Sequence, residues 1–351
     1  FHHRTPRFRE MFAEVNAGLK KILRTENEVL TLAGSGTAGM EAAMACAIPR
    51  DKKVLVSNGG KFGERWVKIA KRYGMDVDEV TLEWGTALQP ETVREKLDTG
   101  EYGAVVTVHS ETSTATACDL QAIAEVVADT DALLIADCIT SAGTLPLETD
   151  KWGVDIVGAG SQKAFMLPPG LAFLAVSDEA WKQIDEIDAP AFYLDLKAYR
   201  KSLAKDDTPY TGPVSLIRGL KVSVDMINDI GIETVWKRTA KLAEAVRTAA
   251  PAMGMRVFSQ QPSDSVSGLL YPDGVDDGFR KELQTKYGAS IAGGQNELKG
   301  KCCRISHMGY VDPMDTIGLI AAMEYTLADC GASVEIGKGV AEAVKVLRDW
   351  E

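Results

Sequence analysis

Through the first half of the chain, short runs of β-branched and other apolar residues alternate with longer stretches of helical periodicity. That alternation is the pattern of βαβ units feeding a mainly parallel sheet, since a parallel pair needs a crossover long enough for a helix. Seven strands are predicted, at 29–33, 53–57, 76–82, 104–108, 132–136, 155–160 and 171–176. Too few residues separate the last two for a crossover helix, so they are expected to pair antiparallel.

Helical spacing of apolar residues returns at 213–230 and 232–250, with Gly231 between the two runs and Pro251 ending the second. Beyond them, strand-like runs at 266–271 and 303–307 mix with helical patterns near 277–287, 313–330 and 336–350. The expected organisation is an N-terminal segment at 1–16, a large domain at 17–235 and a smaller C-terminal α/β domain at 236–351. A chain of 351 residues normally splits its core in this way.

A hydrophobic fraction of 45% with 25% charged residues is that of an ordinary globular protein. The net charge of −11 gives no broad basic surface, so nucleic acid is an unexpected partner. Six cysteines without a CxxC pair fit a reducing cytoplasm, and no apolar run is long enough for a membrane helix. Four histidines lack HExxH or HxH spacing, so no metal is expected. The chain begins at Phe1, and an N-terminal arm is expected to precede it.

Five features follow predicted strands, where open α/β sheets place their ligand sites. AGSGTAGMEAA at 33–43 is a glycine-rich strand-to-helix turn whose backbone N–H groups suit a phosphate, although it is neither a GxGxxG fingerprint nor a P-loop. In NGGKFG at 58–63, Phe62 is either core packing or a platform for a planar ring. HSETST at 109–114 is turn chemistry or a hydrogen-bonding wall in which Ser113 or Thr114 reaches a ligand. LLIAD at 133–137 ends an apolar strand in a carboxylate, which needs a cation or donor beside it unless it is a helix cap. GAGSQK at 158–163 places Lys163 between two apolar strands, where an ammonium is costly and the amine is easily deprotonated.

A strand ending in Asp, then 26 residues on a strand ending in Ser-Gln-Lys, resembles the class V pyridoxal-phosphate-dependent aminotransferases. The likeness is to the alanine–glyoxylate, serine–pyruvate and serine–glyoxylate group. HHRTPRF at 2–8, GSGTAGMEAA at 34–43, HSETST, GSQKAFMLPPG at 160–170, TPYTGPV at 208–214 and RISHMG at 304–309 carry it almost end to end.

The resemblance implies a fold-type-I enzyme whose large domain holds a seven-stranded, mostly parallel sheet and binds the cofactor. It also implies a homodimer with shared active sites. Lys163 would hold pyridoxal 5'-phosphate as a Schiff base, and Asp137 would pair with its pyridine nitrogen. Ser35, Gly36 and Thr37 would cradle the phosphate with Gln162, and Thr208 and Thr211 would reach it from the neighbouring subunit. Phe62 would stack on the ring where the family often has tryptophan, and Ser113 would contact the phenolic oxygen side. Arg304 would take the substrate α-carboxylate bidentately, in place of an ordinary surface salt bridge.

The expected reaction is a ping-pong transfer of an amino group from alanine or serine to glyoxylate or pyruvate. No second arginine stands in a matching motif for a distal carboxylate, and aspartate is the alternative donor. A cysteine desulfurase-like lyase is a further alternative, with Cys302 and Cys303 as its only candidate nucleophiles. A non-catalytic binding module is disfavoured by the presence of Lys163, Asp137 and Arg304 together.

Overall fold

A computed structural model describes residues 1–350. In chain order the strands are β1 (Glu28–Gly34), β2 (Lys53–Asn58), β3 (Asp76–Thr81), β4 (Tyr102–Val108), β5 (Ser110–Glu111), β6 (Thr116–Ala117) and β7 (Leu133–Asp137). They continue as β8 (Ile156–Gly160), β9 (Gly170–Val176), β10 (Arg256–Val257), β11 (Val266–Leu270), β12 (Ala292–Gly293) and β13 (Cys302–Ser306). Seven of them form one sheet in the order β1-β9-β8-β7-β4-β2-β3. The pairs from β8 through β3 are parallel, and β9 runs antiparallel to both β8 and β1, as the short connection between β8 and β9 requires.

Helices cover both faces, which is why the central strands are apolar throughout instead of alternating. In β7 every residue is buried; Leu134 and Ala136 join one core while Leu133 and Ile135 join the core on the opposite face. Because β1 runs parallel to β8, the carboxyl ends of β1, β2, β4, β7 and β8 share one edge of the sheet. All five sequence features project from that edge.

Helix Val214–Ile230 ends at Gly231, whose φ of +86° suits glycine, and helix Ile232–Ala249 leads into the second sheet. That sheet is antiparallel, ordered β10-β11-β13-β12, and shares its own core with helices Gly278–Tyr287, Pro313–Asp329 and Lys338–Leu347. The boundary expected at 16/17 falls inside helix Pro6–Leu23, and that at 235/236 inside Ile232–Ala249. A triangle of buried hydroxyls, Ser110 with Ser263 and Ser265 at 2.8–2.9 Å, joins β5 to the residues that enter β11.

The turn that carries Lys163 is tied down on either side. Ser161 donates to Pro168 O and accepts from Leu171 N, closing the loop between β8 and β9. Phe165 is fully buried with its ring edge-to-face on Phe173, 5.0 Å between centroids. Phe165→Ala removes that anchor and leaves a cavity, so it should cost about 3–5 kcal/mol in urea unfolding. A loss below about 1 kcal/mol would show that the turn is held elsewhere.

Candidate active site

Asp137 closes the central strand, opposite Val108 of β4 and Gly158 of β8. It is buried, and its carboxylate accepts from Ile139 N at 3.0 Å through Oδ1 and from Trp66 Nε1 at 3.1 Å through Oδ2. Burial pushes its pKa up to about 6 against the pull of those two N–H donors. One donor comes from its own turn, and the other from helix Lys61–Arg72 behind β2.

Lys163 follows β8, half-buried. Burial lowers the pKa of its amine first, the positive charge of Arg304 lowers it further, and Asp137 acts in the opposite sense. Three groups from two sheets are therefore brought together. Arg304 sits on β13 opposite Gly268 and Ala292; its Nε donates to Gly293 O of its own sheet and its Nη1 to Thr112 O, in the turn after β5, each at 2.9 Å. Among the described residues no carboxylate pairs with it, so the surface salt bridge weighed from sequence is absent. Gly309, at φ +84°, brings the small-domain loop after Arg304 against the Lys163 turn, where a Cβ would stand 3.3 Å from Met166.

The glycine-rich turn is built as a close approach. A Cβ on Gly36 would lie 2.4 Å from Ile139 Cδ1, so the start of helix Gly36–Ala47 packs closely on the side chain of the turn after Asp137. Ser35 is the N-cap, yet its side chain satisfies none of the helix's first N–H groups. The hydroxyl of Thr37 accepts from Arg65 Nη1 at 3.1 Å, and Arg65 in turn lies 5.0 Å over the Phe62 ring. Gln162 Oε1 is buried without a hydrogen-bond partner.

Ser113 is fully buried, and its hydroxyl donates to Glu111 and accepts from Lys61 N. Thr112 is the residue of that segment whose carbonyl meets Arg304 and whose hydroxyl meets Thr140 at 2.6 Å. Thr208 and Thr211 are not joined to the rest of the set within one chain; they line a crevice with Tyr193, Tyr199 and Tyr210, beside the exposed Phe192. Cys302 and Cys303 are buried in β13, and burial raises both thiols, Cys302 to about 11. Neither is the mobile, acidic thiol that a desulfurase requires.

Sequence reasoning missed Trp66 and Glu111. Glu111 accepts from Phe62 N and Gly63 N at 3.0 Å and from Ser113 N at 3.1 Å, so a buried carboxylate caps the helix that carries Phe62 and Trp66. A four-residue step from Phe62 to Trp66 was the available signal, since it puts both on one helix face.

These residues fit pyridoxal phosphate. A helix start left uncapped by its own Ser35 and the neighbouring Arg65 suit a phosphate, and a buried Asp137 without an ion-pair partner among the described residues suits a protonated ring nitrogen. A lysine whose amine is biased toward the neutral form suits covalent attachment.

The class-V aminotransferase family matches residues 1–311. Over 98% of its length, and 92% of the relative's, the chain is 39% identical to a Synechococcus protein named as the small subunit of a soluble hydrogenase. It is 35% identical to the serine–glyoxylate aminotransferase of Methylorubrum extorquens, across 99% of this chain and 90% of that one. The crystal structure of ureidoglycine–glyoxylate aminotransferase from Bacillus subtilis superposes with a TM-score of 0.94 at 28% identity, covering 99% and 92% of the two chains. The chain belongs to the class-V aminotransferase family and is a fold-type-I, pyridoxal-phosphate-dependent aminotransferase.

Proposed function

We propose that the enzyme transfers the amino group of a small amino acid, alanine or serine, to glyoxylate or pyruvate, and that it works as a homodimer in the cytoplasm. The observation that carries this reading is Arg304, a charged fork beside Lys163 whose partners among the described residues are two backbone carbonyls and no carboxylate. An α-carboxylate is common to every donor and acceptor, and the fork grips it bidentately. Two of the relatives named above use glyoxylate, which favours that acceptor. Nothing in Lys163, Asp137 and Arg304 is specific to hydrogen chemistry, whereas each has a part in amino-group transfer. Aspartate remains the alternative donor, to be distinguished by the tests below.

When bound, pyridoxal phosphate supplies an aldehyde for the incoming amine and a ring that withdraws electrons from the α-carbon. Asp137 would hold the proton on the ring nitrogen, because a carboxylate with little solvent around it attracts that proton strongly. Lys163, freed from the cofactor, would take the α-proton through its neutral amine and return it two atoms away, on the cofactor's side of the nitrogen, a task for which its lowered pKa suits it. Gln162 with Ser35, Gly36 and Thr37 would hold the phosphate, and Phe62 would face the ring. Thr208 and Thr211 would complete the phosphate site from the partner subunit, and the aromatic patch of Phe192, Tyr193 and Tyr210 supports an interface there. Six free cysteines, five of them buried, accord with a reducing compartment.

Borohydride reduction of the holoenzyme followed by peptide mapping should place the pyridoxyl group on Lys163; an adduct on another lysine would overturn the assignment. Arg304→Lys keeps a charge but loses the fork. Losing one charge-assisted hydrogen bond costs roughly 1.5–3 kcal/mol, so kcat/KM should fall about 10- to 150-fold for all substrates alike while the bound-cofactor spectrum is unchanged. A loss confined to dicarboxylates would make Arg304 a side-chain reader and aspartate the donor.

A further inference from the structure

We propose that Trp66 is a positioning residue for Asp137, its indole N–H fixing the carboxylate against the cofactor's ring nitrogen and keeping it anionic. The inference rests on the reading of Asp137 as the partner of that nitrogen.

Trp66 is buried, and its Nε1 donates to Asp137 Oδ2 across 71 residues of sequence. A buried Trp N–H needs an acceptor, and here the acceptor is the most consequential carboxylate of the site. The two donors to Asp137 differ in what they fix. Ile139 N belongs to the same turn and moves with Asp137, whereas Trp66 comes from helix Lys61–Arg72 and so sets the carboxylate's rotation relative to the rest of the pocket. Each oxygen accepts one N–H and keeps a further lone pair for a ring N–H.

The helix itself is held in register. Glu111 clamps its first turn through Phe62 N and Gly63 N, and Phe62 lies one turn before Trp66 on the same face. One rigid element thus carries both the candidate ring platform and the donor to the ring's counter-ion. Burial favours the protonated acid at Asp137, and the negative charge of Glu111 acts in the same sense. Ile139 N, Trp66 Nε1 and the charge of Arg65 oppose it. Lys163 is attracted to the anionic form of Asp137, and burial and then the same charge hold the neighbouring Cys138 thiol up. A protonated Asp137 has no anion to offer a ring N–H, so withdrawing the Trp66 bond weakens the site for the cofactor rather than for the substrate.

Plain core packing would make Trp66 matter for stability alone. A double-mutant cycle separates the two roles. The dissociation constant of pyridoxal phosphate, read from the bound-cofactor absorption, is measured for wild type, Trp66→Phe, Asp137→Asn and the double variant. Losing a hydrogen bond to a charged group should weaken binding roughly 10- to 100-fold in Trp66→Phe. The double variant should bind within about twofold of Asp137→Asn, because Trp66 acts through a charge that is already gone. Wild-type binding in Trp66→Phe, or a double variant whose loss is the product of the two single losses, overturns the proposal. Wild-type binding in Asp137→Asn would instead overturn the reading of Asp137 and the inference with it. Should Trp66→Phe fail to fold, benzothienylalanine at position 66 keeps the ring shape and replaces the N–H with sulfur. The same loss is expected there, and wild-type binding would again overturn the proposal.

Discussion

A carboxylate buried at the end of the central strand is the constraint around which the site is arranged. Leu133–Asp137 is covered on both faces, so Asp137 can reach the ligand edge only by giving up water, which is costly for a charge. Its neighbours are what the cost requires: an N–H from Ile139, an N–H from Trp66, a cationic Arg65 nearby and Lys163 across the cleft. These do not fully offset burial, which holds the pKa of the group up to about 6. A protonated ring nitrogen would supply the missing interaction, and the scarcity of solvent would make that pair strong.

The second constraint is that the candidate site draws one of its charged residues from another sheet. Arg304 is delivered by β13, and its guanidinium is fastened to carbonyls on both sides of the cleft, Gly293 and Thr112. The hydroxyl triangle Ser110, Ser263 and Ser265 and the close approach of Gly309 to Met166 fasten the same junction. Arg304 is thereby aimed by the contact between the sheets as much as by its own strand. Its charge also lowers the pKa of Lys163, so the two groups are linked electrostatically.

Much of this was legible in the sequence because buried parallel strands leave a strong mark. All seven strands of the large sheet, the antiparallel turn of β9 and the long helices on either side of Gly231 follow from runs of apolar residues and helical periodicity. Asp137 and Lys163 were legible as charged groups at the ends of such runs, whereas Arg304 was legible only through the resemblance of RISHMG to the family. Contacts between elements distant in the chain were not. Glu111 looks like one polar residue among six in HSETST, and only the fold shows that it caps a helix 48–49 residues away. The polarity of Ser113 in the same segment is visible in sequence and its direction is not; in the structure its hydroxyl donates to Glu111. Strands of two residues, such as β10 and β12, carry no periodicity at all.

The central claim is that Asp137 binds the cofactor as an anion created at the expense of burial. Its folded pKa is raised to about 6, so the anionic form prevails above that pH and is lost as pH falls through it. The cofactor's phosphate titrates in the same region, so the informative quantity is the ratio of dissociation constants, Asp137→Asn over wild type, measured between pH 5 and 8 (about one unit below the titration and two above). The account predicts a large ratio above about pH 6 that shrinks toward one below it, as a protonated aspartate comes to resemble asparagine. A ratio that stays constant across that range would contradict it.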